Sequence, residues 1–188
     1  SVPSAIPPLG GHGIHVGRIR GGDGGWAEAR GRRRGWGNRE GAKAVRRIVE
    51  AAPDAGVDVL TLYAFSSDNW QRPEHEVGVL MRLFRRYLRS EVAERCAEGV
   101  RLQVIGRSDR RAPDLVKLIE EAEGVTREGR RLTLRLAVDY SSRDMLLTAM
   151  RAATDASRLD RFSISALLGQ VMNTDCPAPD VDLLIRTG

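Results

Sequence analysis

The sequence has little from which metal clusters or disulfide frameworks are built. Its 188 residues include two cysteines and three histidines. Cys96 and Cys176 stand far apart, without the paired spacing of a zinc site. Nothing here demands an oxidising compartment, so the cytoplasm is the expected location. Long apolar runs are also missing, and none approaches the roughly 20 residues of a membrane span. The opening stretch SVPSAIPPLGGHG has no basic region followed by an apolar core, so it does not read as a secretory signal. It reads instead as a flexible arm over residues 1–14.

What remains is the composition of a globular domain, 41% hydrophobic and 29% charged, with aromatics at only 5%. The length suits one domain that buries a real core. The net charge is +5, with a pI near 9.8. A basic balance fits nucleic acid, anionic lipid or phosphorylated small molecules, and charge by itself does not choose among them.

Along the chain, two hydrophobic periods alternate. Asn38 is placed to cap a helix running to about Ala52, with Ala42, Val45 and Val49 on one face. VDVLTLYAF (57–65) has the pattern of a strand covered on both faces. The longest helical signal runs from Glu74 to Glu98, with Val77, Leu80, Met81, Phe84, Leu88, Val92 and Cys96 at helical spacing. Cys96 accordingly reads as a small core residue. VRLQVIG (100–106), LTLRLAVDY (132–140) and VDLLIR (181–186) read as strands. Pro113 to Glu123, Arg143 to Thr154 and Ser163 to Val171 read as helices. The expected fold class is therefore α/β, a single domain with a central, mostly parallel sheet flanked by helices.

Ligands of such sheets collect at the carboxyl ends of strands. The segments that follow the strands are GGDGGW (21–26), SSDNWQRP (66–73), GRSDR (106–110), DYSSR (139–143) and RTG (186–188). They are polar or glycine-rich, and arginine recurs among them, which suits a phosphate-bearing ligand. Asp109, Asp139 and Asp144 read as turn or cap residues, His15 as structural in the first strand, and His75 as exposed. RGRRRGW (30–36) would grip phosphates without specificity. No motif that reads RNA or DNA surrounds it, so no nucleic-acid partner is expected.

LTLYAFSSDNWQRP (60–73) resembles a hallmark of the cis-prenyltransferases, the family of undecaprenyl diphosphate synthase. The likeness runs from about His15 to the last residue. It includes HVxxxxGxGxW (15–26), GAKAVRRIVE (41–50), GVDVLTLYAFSSDNWQRP (56–73), GVRLQVIG (99–106), LTLRLAVDY (132–140) and PDVDLLIRTG (179–188). The resemblance implies that isopentenyl diphosphate is condensed with an allylic diphosphate, such as farnesyl diphosphate, with Mg²⁺ as cofactor. It implies a homodimer and a cis-polyprenyl product, a lipid carrier for cell-wall synthesis. Through that product the protein would contact the inner face of the membrane. The apolar face of helix 74–98, with the sheet, would line the hydrocarbon tunnel.

Site residues follow from the same resemblance. Phe65, Ser66, Ser67, Asp68, Trp70 and Arg72 would bind substrate, and Asn69 would assist proton removal or orient the groups around it. Gly22, Asp23, Gly24, Gly25, Trp26, Arg34, Asn38 and Arg186 occupy further substrate-binding positions. Several depart from the family pattern. The Mg²⁺-binding catalytic aspartate falls on Gly21, the diphosphate-binding arginine on Gly25 and a histidine on Asn38, while DYSSR stands where the family has NYGGR. Gly21 has no side chain to ligate a metal, which implies weak or absent activity unless Asp23 supplies the carboxylate. The alternative is a non-catalytic subunit that keeps the fold and supports a partner. The domain reads as residues 15–188, without the family's C-terminal segment.

Overall fold

The computed structural model describes residues 13–20, 31, 34–153, 159–174 and 176–187. Gly21, Gly22, Asp23, Gly24, Gly25 and Trp26 lie outside the described residues. So do the side chains of Arg34 and Asn38, the first 12 residues of the expected arm, and Gly188.

The β-branched runs pair side by side. The strands are β1 (Ile14–Arg20), β2 (Val57–Ser66), β3 (Val100–Ile105), β4 (Leu132–Tyr140) and β5 (Leu183–Thr187). They form one sheet in the order β3-β4-β2-β1-β5, with every pairing parallel. The helices are α1 (Arg34–Ala51), α2 (Glu74–Ala97), α3 (Pro113–Thr126), α4 (Ser142–Ala152) and α5 (Arg161–Val171). The expected α/β single domain, a parallel sheet flanked by helices, is what forms.

Alternation of side chains along each strand sends two sets of residues to two helical layers. Leu60, Leu62, Leu102, Val104, Leu132, Leu134 and Leu136 meet Val49 of α1, Val77 and Leu88 of α2, and Leu115 and Ile119 of α3. On the opposite face Ile105 and Ala137 meet Met145 of α4, with Met172 and Leu168 from α5 and its end. Burying each of these aliphatic side chains contributes roughly 1.5–3 kcal/mol, so the first layer carries most of the stability.

Four expectations change in detail. Asn38 does not cap α1, because the helix already runs from Arg34 and a cap residue must stand outside it. β2 is not covered on both faces, since Tyr63 is half-buried and Ala64 exposed. The pairing with β4 is irregular between Tyr63 and Phe65, which sets Tyr63 opposite Ala137 and Phe65 opposite Val138. That bulge turns Phe65 onto the α2 layer, where strict alternation would not have put it. α3 continues three residues past Glu123, because the Thr126 hydroxyl accepts from the Leu102 N–H at 3.0 Å and donates to the Ala122 carbonyl at 2.8 Å.

Cys96 is exposed rather than buried. Eighteen residues make five helical turns, so the inward position of Val77 recurs at Arg95 and leaves Cys96 about 100° away. Arg95 is buried there at 3% exposure and meets Glu50, Glu94 and Glu98 at 3.6, 3.4 and 2.6 Å. Arg46 of α1 joins the same cluster through Glu91 and Glu94, tying the two helices together.

Candidate functional site

The carboxyl ends of β2, β3 and β4 converge on one carboxylate. Asp139 sits near the end of β4 with φ +55 and is 1% exposed. Arg110 donates to it from Nε to Oδ2 at 3.0 Å and from Nη2 to Oδ1 at 2.6 Å. Ser67 donates from its hydroxyl to Oδ1 at 2.9 Å. A bidentate guanidinium–carboxylate pair of this kind is among the stronger charge-assisted contacts. Gly106 makes the approach of the β3 loop feasible. A Cβ there would lie 2.3 Å from the Val138 carbonyl oxygen, and its φ is +112. The Arg107 N–H then bonds the Asp139 carbonyl at 3.1 Å.

Arg110 serves two partners. Its guanidinium lies 5.6 Å from the centre of the Trp70 ring, within cation–π range. Trp70 in turn meets Phe65 edge-on, with centroids 5.3 Å apart. The 3₁₀ turn Ser67–Gln71 between β2 and α2 is closed by the Ser66 N–H, which donates to Asn69 Oδ1 at 3.1 Å. The Asn69 carbonyl oxygen is thereby committed to the backbone. The Trp70 indole Nε1 is buried and has no hydrogen-bond partner among the described residues. An unmet buried donor costs about 1–3 kcal/mol, which a ligand oxygen at that point would recover.

Of the expected site residues, the structure brings together Phe65, Ser66, Ser67, Asn69 and Trp70. Asp68 and Arg72 are exposed at the edge of this group. Arg72 lies 4.0 Å from Glu76 at the start of α2. Arg186 is on β5, exposed, two strands from the group and in register with Ile19. Asp139 is a correction, since it reads as a turn residue in the sequence and is the buried anchor of the rim. Arg110 belongs in the sequence only to the arginine-bearing loop GRSDR (106–110). Both stand where strands end, and that placement was the signal available.

Asp109 and Asp144 are structural. Asp109 is held by Arg107 at 2.7 Å, which keeps its carboxyl below the usual range. Asp144 opens α4, its N–H bonded to Ser141 Oγ at 3.3 Å. His15 is buried, as expected, with Nδ1 donating to the Asp180 carbonyl at 2.7 Å and Nε2 accepting from Thr61 Oγ1 at 2.8 Å. A carbonyl only accepts, so the Nδ1–H tautomer is fixed. Burial lowers the His15 pKa and keeps the ring neutral. His75 is exposed.

Among the described residues no three His, Cys, Asp or Glu side chains gather as a metal site. Both Asp139 oxygens are taken by Arg110 and Ser67, so the described part of the rim does not fit a divalent cation. The rim is instead basic and hydroxyl-bearing. A cavity of about 150 Å³ lies against β2 and β4, lined by Val45, Leu62, Phe84, Tyr87 and Leu136, with Arg18 as the one charged side chain among the described residues that line it. No helix among the described residues is long and apolar enough to cross a membrane.

Comparison with known proteins agrees with this architecture. The prenyltransferase family model described as undecaprenyl diphosphate synthase matches residues 19–188. An isoprenyl transferase of Bradyrhizobium diazoefficiens is 48% identical over 174 residues, which is 93% of this chain and 69% of that protein. An isoprenyl transferase of Agrobacterium fabrum is 41% identical over 176 residues, covering 92% of this chain and 71% of the relative. Among solved structures, lavandulyl diphosphate synthase from Lavandula x intermedia, crystallised with dimethylallyl diphosphate, superposes with a TM-score of 0.81 at 28% identity. That match covers 93% of this chain and 77% of the other. The chain belongs to the undecaprenyl diphosphate synthase family of isoprenyl transferases.

Proposed function

We propose that the chain condenses isopentenyl diphosphate with an allylic diphosphate to give a cis-prenyl diphosphate. The observation that carries this reading is that one sheet holds both a cationic, hydroxyl-bearing rim at its strand ends and an apolar cavity, whose lining residues Tyr63 and Ala64 directly precede Phe65 of the rim on β2. Such a site matches a substrate with an anionic head and a hydrocarbon tail. In the reaction the allylic carbon loses pyrophosphate and bonds to the terminal carbon of the isopentenyl unit. A proton then leaves that unit as the new double bond forms.

The rim residues have distinct tasks. Asn69, whose carbonyl is bound to Ser66 N–H, presents its amide N–H₂ as a donor to diphosphate oxygens and orients the group that loses the proton. Trp70 offers its unpartnered indole N–H, and Phe65 with Trp70 shields the reacting carbons from water. Ser66 and Ser67 set the turn, while Arg72 and Arg186 supply exposed cations for a second diphosphate. Gly22, Gly24 and Gly25 would offer backbone N–H groups, with Trp26, Arg34 and Asn38 beside them. Mg²⁺ would depend on Asp23, because Gly21 has no ligating side chain. A homodimer belongs to the same reading.

The carboxylate missing at Gly21 favours a second reading, a subunit that binds a prenyl diphosphate without turning it over. Incubation with labelled isopentenyl diphosphate, farnesyl or dimethylallyl diphosphate and Mg²⁺ separates the two. A lengthened prenyl product is expected. Tight binding with no product over many hours would establish the non-catalytic subunit.

A further inference from the structure

One residue of each strand faces its neighbours in a single row across the sheet. In strand order the row is Val104, Leu136, Leu62, Arg18 and Ile185. Four are aliphatic and the fourth along is an arginine, set on the α1–α2 layer where Leu62 and Leu136 belong to the core. The same three neighbours, Arg18, Leu62 and Leu136, form the sheet side of the cavity, and Val45, Phe84 and Tyr87 close it from the helices. Arg18 Nε is buried and has no hydrogen-bond partner among the described residues. Among the described residues its guanidinium has a single bond, Nη2 to Thr187 Oγ1 at 3.5 Å. A guanidinium ordinarily takes bidentate acceptors, so this one is poorly served.

The geometry points to Arg18 as the residue that sets the length of hydrocarbon tail the site accepts, limiting it to about one isoprene unit. This rests on the reading of the site as one for allylic diphosphates. The cavity volume of about 150 Å³ is that of an apolar pocket which holds a six-carbon ring. A five-carbon dimethylallyl group matches such a space and meets only the part of Arg18 that lines it. A longer tail would have to run along the row towards β1 and cover Arg18 with hydrocarbon. Covering an unpaired polar group strips its water without replacing the lost bonds, so each added unit is penalised where an apolar wall would reward it. Arg18 acts as a specificity determinant and takes no part in the chemistry.

The test uses unreactive thiolodiphosphates of dimethylallyl, geranyl and farnesyl chains, titrated calorimetrically into the protein and its Arg18→Ile and Arg18→Lys variants. The unaltered protein should bind the dimethylallyl analogue at least as tightly as the farnesyl one. Arg18→Ile should tighten the farnesyl analogue about tenfold or more and change the dimethylallyl analogue less than about twofold. Arg18→Lys, which keeps the charge, should retain the preference for the short tail. The inference is overturned if affinity of the unaltered protein climbs with each added unit, or if Arg18→Ile shifts all three analogues equally. Failure of every analogue to bind every variant would instead bring down the reading of the site itself, and this inference with it.

Discussion

At the end of β4 the Asp139 carboxylate is sealed from solvent and gathers two elements, the β3 loop through Arg110 and the β2 turn through Ser67, with the Trp70 ring of that turn held against Arg110 as well. At the same height on β5 all five residues are exposed, Leu183, Leu184 and Ile185 among them. The polypeptide just before that strand is fastened mainly by His15, whose backbone N–H donates to Asp182 at 2.8 Å and whose ring holds the Asp180 carbonyl. The central rim is thus fixed by a buried charged network and the edge by its backbone ladder to β1 and a few bonds to one histidine. A polar network of this kind specifies position sharply, because leaving any member unpaired is costly. The edge strand contributes register to the sheet and little to its buried core.

Removing the anchor should break the comparison most visibly. Asp139→Ala leaves Arg110 and Ser67 without their acceptor, and unfolding in urea should show a loss of about 2–3 kcal/mol. Asp139→Asn keeps an acceptor for Ser67 and should lose about half as much. In both variants Trp70 is released from Arg110, so prenyl diphosphate affinity should fall along with stability. An Asp139→Ala protein as stable as the parent would mean that the rim is held by backbone bonds alone.

The fastening at the edge is sensitive to pH, and the direction follows from His15. Its pKa is lowered first by burial, reinforced by the nearby Arg135 charge and opposed by the Asp180 carbonyl and by the Asp180 and Asp182 charges. The folded state therefore binds a proton less readily than the unfolded chain, whose imidazole titrates near 6.5. Stability is fully present above that value and declines as pH falls through it, levelling only below the lowered folded pKa. A His15→Gln variant keeps a donor and an acceptor without titrating. Its urea midpoint should be flatter between about pH 7 and pH 5 than that of the unaltered protein. Equal slopes for the two proteins would assign the pH dependence to other groups.

The unequal treatment of centre and edge was only partly legible in the sequence. The strands and helices were, because runs such as 57–65 and 132–140 carry their periodicity locally. So was the rim, because polar loops after apolar strands are a local pattern too. Asp139 was not, since its importance depends on Arg110, 29 positions away, and on β3 lying beside β4. Phe65 reaches Trp70 by way of a bulge that alternation cannot foretell. Arg95 took the inward place assigned to Cys96 because one face of a long helix turns from apolar to charged within its last turns. Arg18 looked like one basic residue among many until the register set it in an aliphatic row.

The smallest effect belongs to the edge itself, and it is informative because the residue type suggests otherwise. Leu184 is 62% exposed, although its Cδ1 would lie 3.0 Å from a Cβ built on Gly17, so one methyl group rests on the β1 backbone. Replacing it by threonine removes little buried area and substitutes a side chain that suits a strand equally well. Unfolding free energy should change by less than about 0.5 kcal/mol, measured in urea as for the Asp139 variants. A loss of 2 kcal/mol or more, on the scale of about 2–5 kcal/mol expected for a leucine truncated in a packed core, would show that β5 is covered in solution. The edge would then rank with the central rim in holding the site together, and the contrast between them would vanish.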